Sequence, residues 1–415
     1  MNTESTRGRS EPGGPEKRSS RTPPPSFEGN RAERVLGRYR GDGAGPTLIV
    51  VGGLHGNEPA GVLAARRVMD HIASCPVRGR GQFVALSGNT RALNQHVRFL
   101  EDDLNRLWSP ERIRDLKADP HPEFLGPEEQ ECLELLGTLN ETLGEAAGPV
   151  YLIDLHTTSA DGSPFATIGD TLRNRNFALR FGLPVILGLE EQIDGPMLEY
   201  MNNRGVVTMC VEGGRHDRAA SIDNHEAVLW IALAETGILD PADVPDLEGA
   251  RSRLRDAARD APRIMEVRHR RSLRAGDGFA MRPGFTNFQP VVKGQHLADD
   301  HRGKILAHED GILLMPLYQG LGDDGYFLGR KVKRAWLRLS TALRKLRVDT
   351  IMPLLPGVWR HPEREHTLIV NTKVARFYPL EIFHLLGYRK RARLGPVLLV
   401  SRRRFDVRVP RNGWG

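Results

Sequence analysis

Five short apolar runs constrain this chain more than any other feature: TLIVV (47–51), FVALS (83–87), VYLIDLH (150–156), PVILG (184–188) and VVTMCVE (206–212). Each sets Val, Ile or Leu side by side, which reads as strands covered on both faces. Helical sequence stands between them. Pro59 suits the first position of a helix, and Val62, Ala65, Val68, Met69 and Ile72 follow at helical spacing. Residues 126–143 open with acids that favour a helix N-terminus, and 222–236 read as a further helix. The stretch 90–126 has weak periodicity and is expected to be partly loop. Strands alternating with helices predict an α/β layer built on a largely parallel sheet.

At 415 residues the chain exceeds one compact core, so several units are expected. Residues 1–32 are polar, rich in Pro, Gly, Ser and Arg, and read as a disordered lead without the apolar stretch of a signal peptide. A catalytic unit is expected over 33–245. A charged segment (246–262) then leads into short strands separated by AGDG (275–278), HEDG (308–311) and GDDG (322–325), so 246–330 reads as a smaller β-rich domain. Residues 331–415 form a basic C-terminal extension with 20 Lys and Arg against 5 Asp and Glu. The first 330 residues hold 39 against 47. The net charge of +7 therefore hides an acidic body and a basic end. The apolar runs of the extension imply that it packs partly on the body or on a second subunit, and removing it is expected to leave the chemistry intact. It lacks aromatic-interleaved nucleic-acid motifs, so polyanion binding is not its expected role. No run is long and apolar enough to cross a membrane. Three cysteines give no disulfide framework and point to a reducing cytoplasm.

Chemistry concentrates at strand ends. His55 and Glu58 lie in the turn GGLHGNE after the first run, His156 ends the third, and Glu212 ends the fifth. In an open parallel sheet such positions meet in one cleft. Two imidazoles and a carboxylate suit Zn²⁺ and leave a coordination position open for water, one ion per chain. Asp154, two residues before His156, leaves the same strand face and is a candidate supporting acid. Ser159 and Cys210 lack a nucleophile motif, and His216 and His225 carry no pattern of their own.

The strings GGLHGNEPAG, DLNR (103–106), DLHTT (154–158) and VEGG (211–214), in this order, resemble the succinylglutamate desuccinylase/aspartoacylase family, relatives of the zinc carboxypeptidases. The resemblance covers about 33–330 and is strongest up to Gly214. It implies a zinc carboxypeptidase-like fold: a mixed, largely parallel sheet flanked by helices, with a smaller β-rich C-terminal domain. It also implies zinc held by His55, Glu58 and His156, with Glu212 activating water and passing its proton to the leaving amine. Arg98 then polarises the scissile carbonyl, Asn105 and Arg106 hold a substrate carboxylate, and Asn89 lies near the site. Tyr200 and Arg204, four residues apart, resemble a substrate-contacting pair, and Tyr326 resembles a tyrosine reaching in from the β-rich domain. The implied activity is zinc-dependent removal of an acyl group from an N-acyl amino acid or similar small acid. The partner is thus a small acylated acid, with a homo-oligomer allowed for. A carboxypeptidase-like peptidase and a non-catalytic binder on the same fold are the alternatives. A binder has no need of a water-activating Glu212 beside a full ligand set.

Overall fold

A computed structural model describes residues 31–75, 77–189, 192–274, 276–374 and 380–407, so nearly all of the polar lead lies outside the described residues. The first strands are β1 (Val35–Arg40), β2 (Thr47–Gly52), β3 (Gln82–Ser87) and β4 (Val150–Thr158). They are followed by β5 (Phe165–Thr167), β6 (Val185–Leu187), β7 (Val207–Arg215) and β8 (Ile264–Ser272). The β-rich region adds β9 (Ala280–Met281), β10 (Pro290–Val291), β11 (His296–Asp300), β12 (Gly303–Leu306), β13 (Gly311–Leu314) and β14 (Asp324–Lys331). One sheet runs in the order β1-β3-β2-β4-β7-β5-β6-β8-β14-β13-β10. Its centre, β3-β2-β4-β7, is parallel, whereas β5 meets β7 antiparallel. Both β2 and β3 are buried at every position, which is why their sequences are continuous rather than alternating.

Helices cover both faces. α1 (Ala60–Ser74) follows Pro59 and buries Val62, Ala65, Val68, Met69 and Ile72, the stripe visible in the sequence. The weakly patterned 90–126 stretch holds α2 (Thr90–Gln95), a short 3₁₀ turn at Leu104–Arg106 and α3 (Pro110–Ala118). α4 (Pro127–Gly144) starts where Glu129 folds back to accept from the Gly126 N–H at 2.9 Å. α5 (Leu172–Ala178), α6 (Met197–Asn203) and α7 (Ala219–Thr236) complete the layer. One core gathers α1, α5 and α7, and the other gathers α3, α4 and α6. The charged 246–262 segment holds α8 (Leu247–Ala257), capped by Asp246 and seated by buried Leu254.

The region 263–330 continues the central sheet: β8 joins β6 in parallel, and β14 and β13 extend it antiparallel. A small sheet, β12-β11-β9, closes over an apolar cluster that it shares with β10, β13 and β14.

Beyond it come α9 (Arg334–Lys345), β15 (Val358–Arg360), β16 (Thr367–Asn371), α10 (Leu380–Leu385), β17 (Tyr388–Leu394) and β18 (Val397–Arg402). The four strands form an antiparallel sheet around Met352, Leu368, Phe383, Leu386 and Val400. This unit docks on the body through charge. Asp170, fully buried, accepts from Arg344 Nη2 at 2.9 Å and is paired with Arg175 and Arg389. Asp406 caps α5 by accepting from the Leu172 N–H at 2.8 Å. No helix among the described residues is long and apolar enough to cross a membrane.

Candidate active site at the strand ends

The turn after β2 is shaped by glycine at two points. Gly53 has φ +70°, and a Cβ on Gly56 would lie 2.1 Å from the Ala92 backbone. This packing folds the turn down so that His55 and Glu58 are both buried at the end of β2. His156 stands on the neighbouring β4, and Glu212 is its register partner on β7. Sheet topology thus joins residues separated by more than 150 positions.

Donor atoms of His55, Glu58 and His156 lie within 4.8 Å of one another. Glu58 spans the pair: Oε1 is 3.0 Å from His55 Nδ1 and Oε2 is 3.2 Å from His156 Nδ1. The Thr157 N–H also donates to Oε2 at 2.9 Å. Each imidazole is held from behind by a second carboxylate. His156 Nε2 lies 2.9 Å from Asp154 Oδ2, and His55 Nε2 lies 3.1 Å from Asp103 Oδ1. Carboxylates in this position fix ring orientation and raise ligand basicity, as at metal-ligating histidines. Arg98 donates to Glu58 Oε1 and to Asp103 Oδ2, both at 3.3 Å. Glu212 Oε2 and Asp154 Oδ1 are buried without a hydrogen-bond partner among the described residues. Buried polar atoms are rarely left so, and a cation among these donors answers the deficit. The set can therefore hold a divalent metal ion.

The charges follow from this packing. Burial alone would raise the Glu58 carboxyl, but the two imidazoles beside it hold it well below the usual carboxylate range. Burial would lower His156, but Asp154 and Glu58 hold it well above the usual imidazole value. Asp103 is likewise lowered, burial being outweighed by His55, Arg106 and Arg98. Glu212 goes the other way. Burial pushes it up to about 8, with Glu58 and Asp154 adding to the rise and His156 and Arg98 opposing it.

The cleft over these groups encloses about 200 Å³. Arg98, Asn105 and Arg106 line it. Arg106 faces acids: its guanidinium nitrogens lie 3.6 Å from both Asp323 and Asp324 carboxylates. Asn105 Oδ1 accepts from the Met197 N–H at 3.0 Å and so ties the DLNR turn to α6.

Four other residues expected at or near the site sit elsewhere. Asn89 is fully buried as the N-cap of α2 and donates to Glu128 at 3.0 Å. Tyr200 packs against Trp108 with Arg204 over its ring, and Arg204 donates to Asn140 at 2.7 Å. Tyr326 points into the apolar cluster of the small β-rich sheet, so its neighbour Phe327 lines the cleft instead. Successive side chains of a strand face opposite ways, and the sequence assigned the wrong face.

The structure adds groups that the sequence passed over. Asp103, which opens the DLNR string, supports His55. Glu128 accepts from the N–H groups of Leu100, Glu101 and Asp102, shaping the loop that carries Arg98 and Asp103. His216 lines the cleft between Thr157 Oγ1 at 2.7 Å and Gln319 at 3.2 Å, with burial lowering its pKa. His225 lies beneath the site, 2.9 Å from the His156 carbonyl, and burial takes it down to about 4. Arg403 of the C-terminal unit also lines the cleft. Cys210 and Ser159 are poor nucleophiles here. Burial holds the thiol well above its usual value, and the hydroxyl accepts from the Tyr318 N–H at 3.0 Å.

Comparisons with known proteins point one way. Residues 44–227 match the model of the succinylglutamate desuccinylase/aspartoacylase catalytic domain. A probable aspartoacylase of Acaryochloris marina is 31% identical over 115 residues, covering 28% of this chain and 35% of that protein. A succinylglutamate desuccinylase of Pseudomonas fluorescens is 33% identical over 91 residues, covering 22% and 25%. The matched stretches thus span about a third or less of these curated relatives. Among solved structures, a succinylglutamate desuccinylase/aspartoacylase from Rhodobacter sphaeroides superposes with TM-score 0.52 at 19% identity, over 72% of this chain and 88% of that one. The product-bound ectoine utilization protein EutE (DoeB) from Ruegeria pomeroyi gives 0.50 at 20%, over 70% and 87%. At such identities these two show the shared fold.

Proposed function

Because this chain belongs to the succinylglutamate desuccinylase/aspartoacylase family, we propose that it is a zinc-dependent amidohydrolase removing the acyl group from an N-acyl amino acid or a similar small carboxylate. The observation carrying this reading is the buried His55–Glu58–His156 group with the unpartnered Glu212 Oε2 beside it. Two imidazoles and a carboxylate, each imidazole backed by a further acid, form a donor set suited to one zinc ion per chain. Bound there, zinc supplies Lewis acidity and makes water nucleophilic at neutral pH.

The remaining steps belong to the side chains. Glu212 takes the proton of the attacking water and returns it to the amide nitrogen as the C–N bond breaks. Its burial fits this task. Burial pushes its carboxyl up to about 8, far enough above the usual carboxylate range for one group both to accept and to return a proton. Arg98 donates to the carbonyl oxygen as negative charge develops on it. Arg106 holds a substrate carboxylate beside Asn105. A cleft of about 200 Å³ suits a small acylated acid better than a peptide chain. The three cysteines are unpaired, which fits a cytoplasmic enzyme.

The test is a panel of N-acyl amino acids, read by released amine, with metal content measured on the same protein. We expect turnover of at least one member and one zinc per chain. A chain loaded with metal but releasing no amine would favour a non-catalytic binder. Full metal occupancy in His156→Ala would overturn the ligand set.

A further inference from the structure

We propose that one face of α7, formed by Ser221, Asn224 and His225, sets the aim of Glu212 by pinning a bulge in β7, which makes Asn224 and His225 positioning residues for proton transfer. The inference rests on the deacylase reading for the role of Glu212, though not for the pinning itself.

The ladder between β4 and β7 is regular up to His156, which pairs with Glu212. Thr158 then pairs with Arg215, so two steps along β4 are matched by three along β7. The extra residue falls at Gly213–Gly214, immediately after Glu212. Such a bulge interrupts the ladder, bends its strand and re-aims the side chain beside it. Glu212 Oε2 has no hydrogen-bond partner among the described residues, so its direction depends on the backbone that carries it.

The helix supplies what the interrupted ladder lacks. Ser221, Asn224 and His225 are spaced by three and four residues, which puts them on one face of α7, and all three are buried. Asn224 Nδ2 donates to the Gly213 carbonyl at 2.8 Å, and Ser221 Oγ donates to the Arg215 carbonyl at 2.7 Å. These two bonds bracket the bulge. His225 Nε2 reaches one strand further, to the His156 carbonyl at 2.9 Å. A carbonyl oxygen only accepts, so Nε2 carries the hydrogen. One helical face therefore grips both the strand with the metal-ligating His156 and the strand with the base. The approach is close enough to need both glycines of VEGG. A Cβ on Gly213 would lie 2.5 Å from His225 Nε2, and one on Gly214 would lie 2.8 Å from Ser221 Oγ. Gly214 also has φ +133°, a conformation that side chains disfavour. Glycine after Glu212 is thus what lets the helix come down on the bulge.

The experiment uses full-length, zinc-loaded protein carrying His225→Phe, His225→Gln or Asn224→Ala, each alone and combined with Glu212→Gln. Phenylalanine keeps a ring against Gly213 without the N–H, and glutamine returns a donor. On the N-acyl amino acid that wild type turns over best, His225→Phe and Asn224→Ala should each lower kcat about ten- to a hundredfold, the scale of a base displaced by about 1 Å. KM and zinc content should stay close to those of wild type, and His225→Gln should recover part of the loss. In the Glu212→Gln background the same changes should leave the residual kcat nearly unchanged, because residues that act through one group are not additive. A merely structural role takes the same factor from both backgrounds. Equal losses in the two backgrounds, or an unchanged kcat in the single variants, would overturn the inference. Should His225→Phe fail to fold by its urea midpoint, Asn224→Ala carries the same comparison. If wild type hydrolyses no N-acyl amino acid, the deacylase reading fails by itself. Hydrogen exchange then decides the pinning: faster exchange in the single variants, confined to 156–158 and 211–216, supports it. Unchanged protection there, or equal acceleration across the whole sheet, refutes it.

Discussion

Replacing Asp170 by Asn tests how the C-terminal unit is held to the body. The carboxylate is fully buried and meets three guanidiniums: Arg175 from the following α5, and Arg344 and Arg389 from the C-terminal unit. The Arg344 side chain has no exposure at all. Burial would raise the Asp170 carboxyl, but these cations hold it well below the usual range. The amide keeps the shape and one acceptor while removing the charge. Breaking a buried pair from one side costs about 3–5 kcal/mol, because the remaining charges stay desolvated. That is a large share of the ~5–15 kcal/mol that holds a typical domain folded. Equilibrium urea unfolding of the full metal-loaded chain measures it. The variant Arg344→Met and the double variant Asp170→Asn/Arg344→Met complete a cycle. The double variant should cost less than the sum, by about 0.5–3 kcal/mol, since removing Arg344 relieves one stranded charge. A single-variant loss under about 1 kcal/mol, or strict additivity in the cycle, would refute the reasoning.

Glu212→Gln should keep its metal and lose roughly 10²–10⁴-fold in turnover, because an amide cannot take the proton; an unchanged rate moves the base elsewhere, with Asp154 next. Arg106→Ala should weaken substrates with a free carboxylate about ten- to a hundredfold. Equal losses on the amidated analogue would remove it from that role. Docking should also weaken in acid. Glu266 is taken down to about 2, burial being outweighed by His384, Arg389 and Arg330. A lowered carboxyl stabilises the fold above its ordinary pKa of 4.5 and loses that contribution as pH falls toward 2, on the order of 3 kcal/mol. Urea midpoints between pH 5 and 3 should therefore fall less steeply in Glu266→Gln, and parallel slopes would count against the pairing.

The parts of the site that the sequence exposed are those where local pattern and topology agree. His55 and Glu58 follow one recognisable apolar strand, and His156 and Glu212 lie near the ends of two others, so the parallel sheet brings them together. Residues that depend on facing were harder to place. Tyr326 and Phe327 differ by one position, and only the register of β14 on β8 decides which enters the cleft. Tyr200 and Arg204 do contact one another, yet they pack against Trp108 and Asn140. Arg403 carried no signal, because its place depends on how a separate sheet docks through Asp170, Glu266 and Asp406. Arg344 and Arg389 are in fact buried inward against acids of the body.

The sheet that runs unbroken from β1 to β10 sets how the cleft can open. Two units joined by a linker could swing apart to admit substrate. Here Val185, Ile186 and Leu187 of β6 pair with Ile264, Met265 and Glu266 of β8, and β8 pairs with β14 along most of its length. A hinge between catalytic and β-rich regions would have to break that ladder, and the C-terminal unit clamps the same strand through Glu266. The segment between β13 and β14, which supplies Met315, Leu317, Gln319 and Asp323 to the cleft, lies outside that ladder.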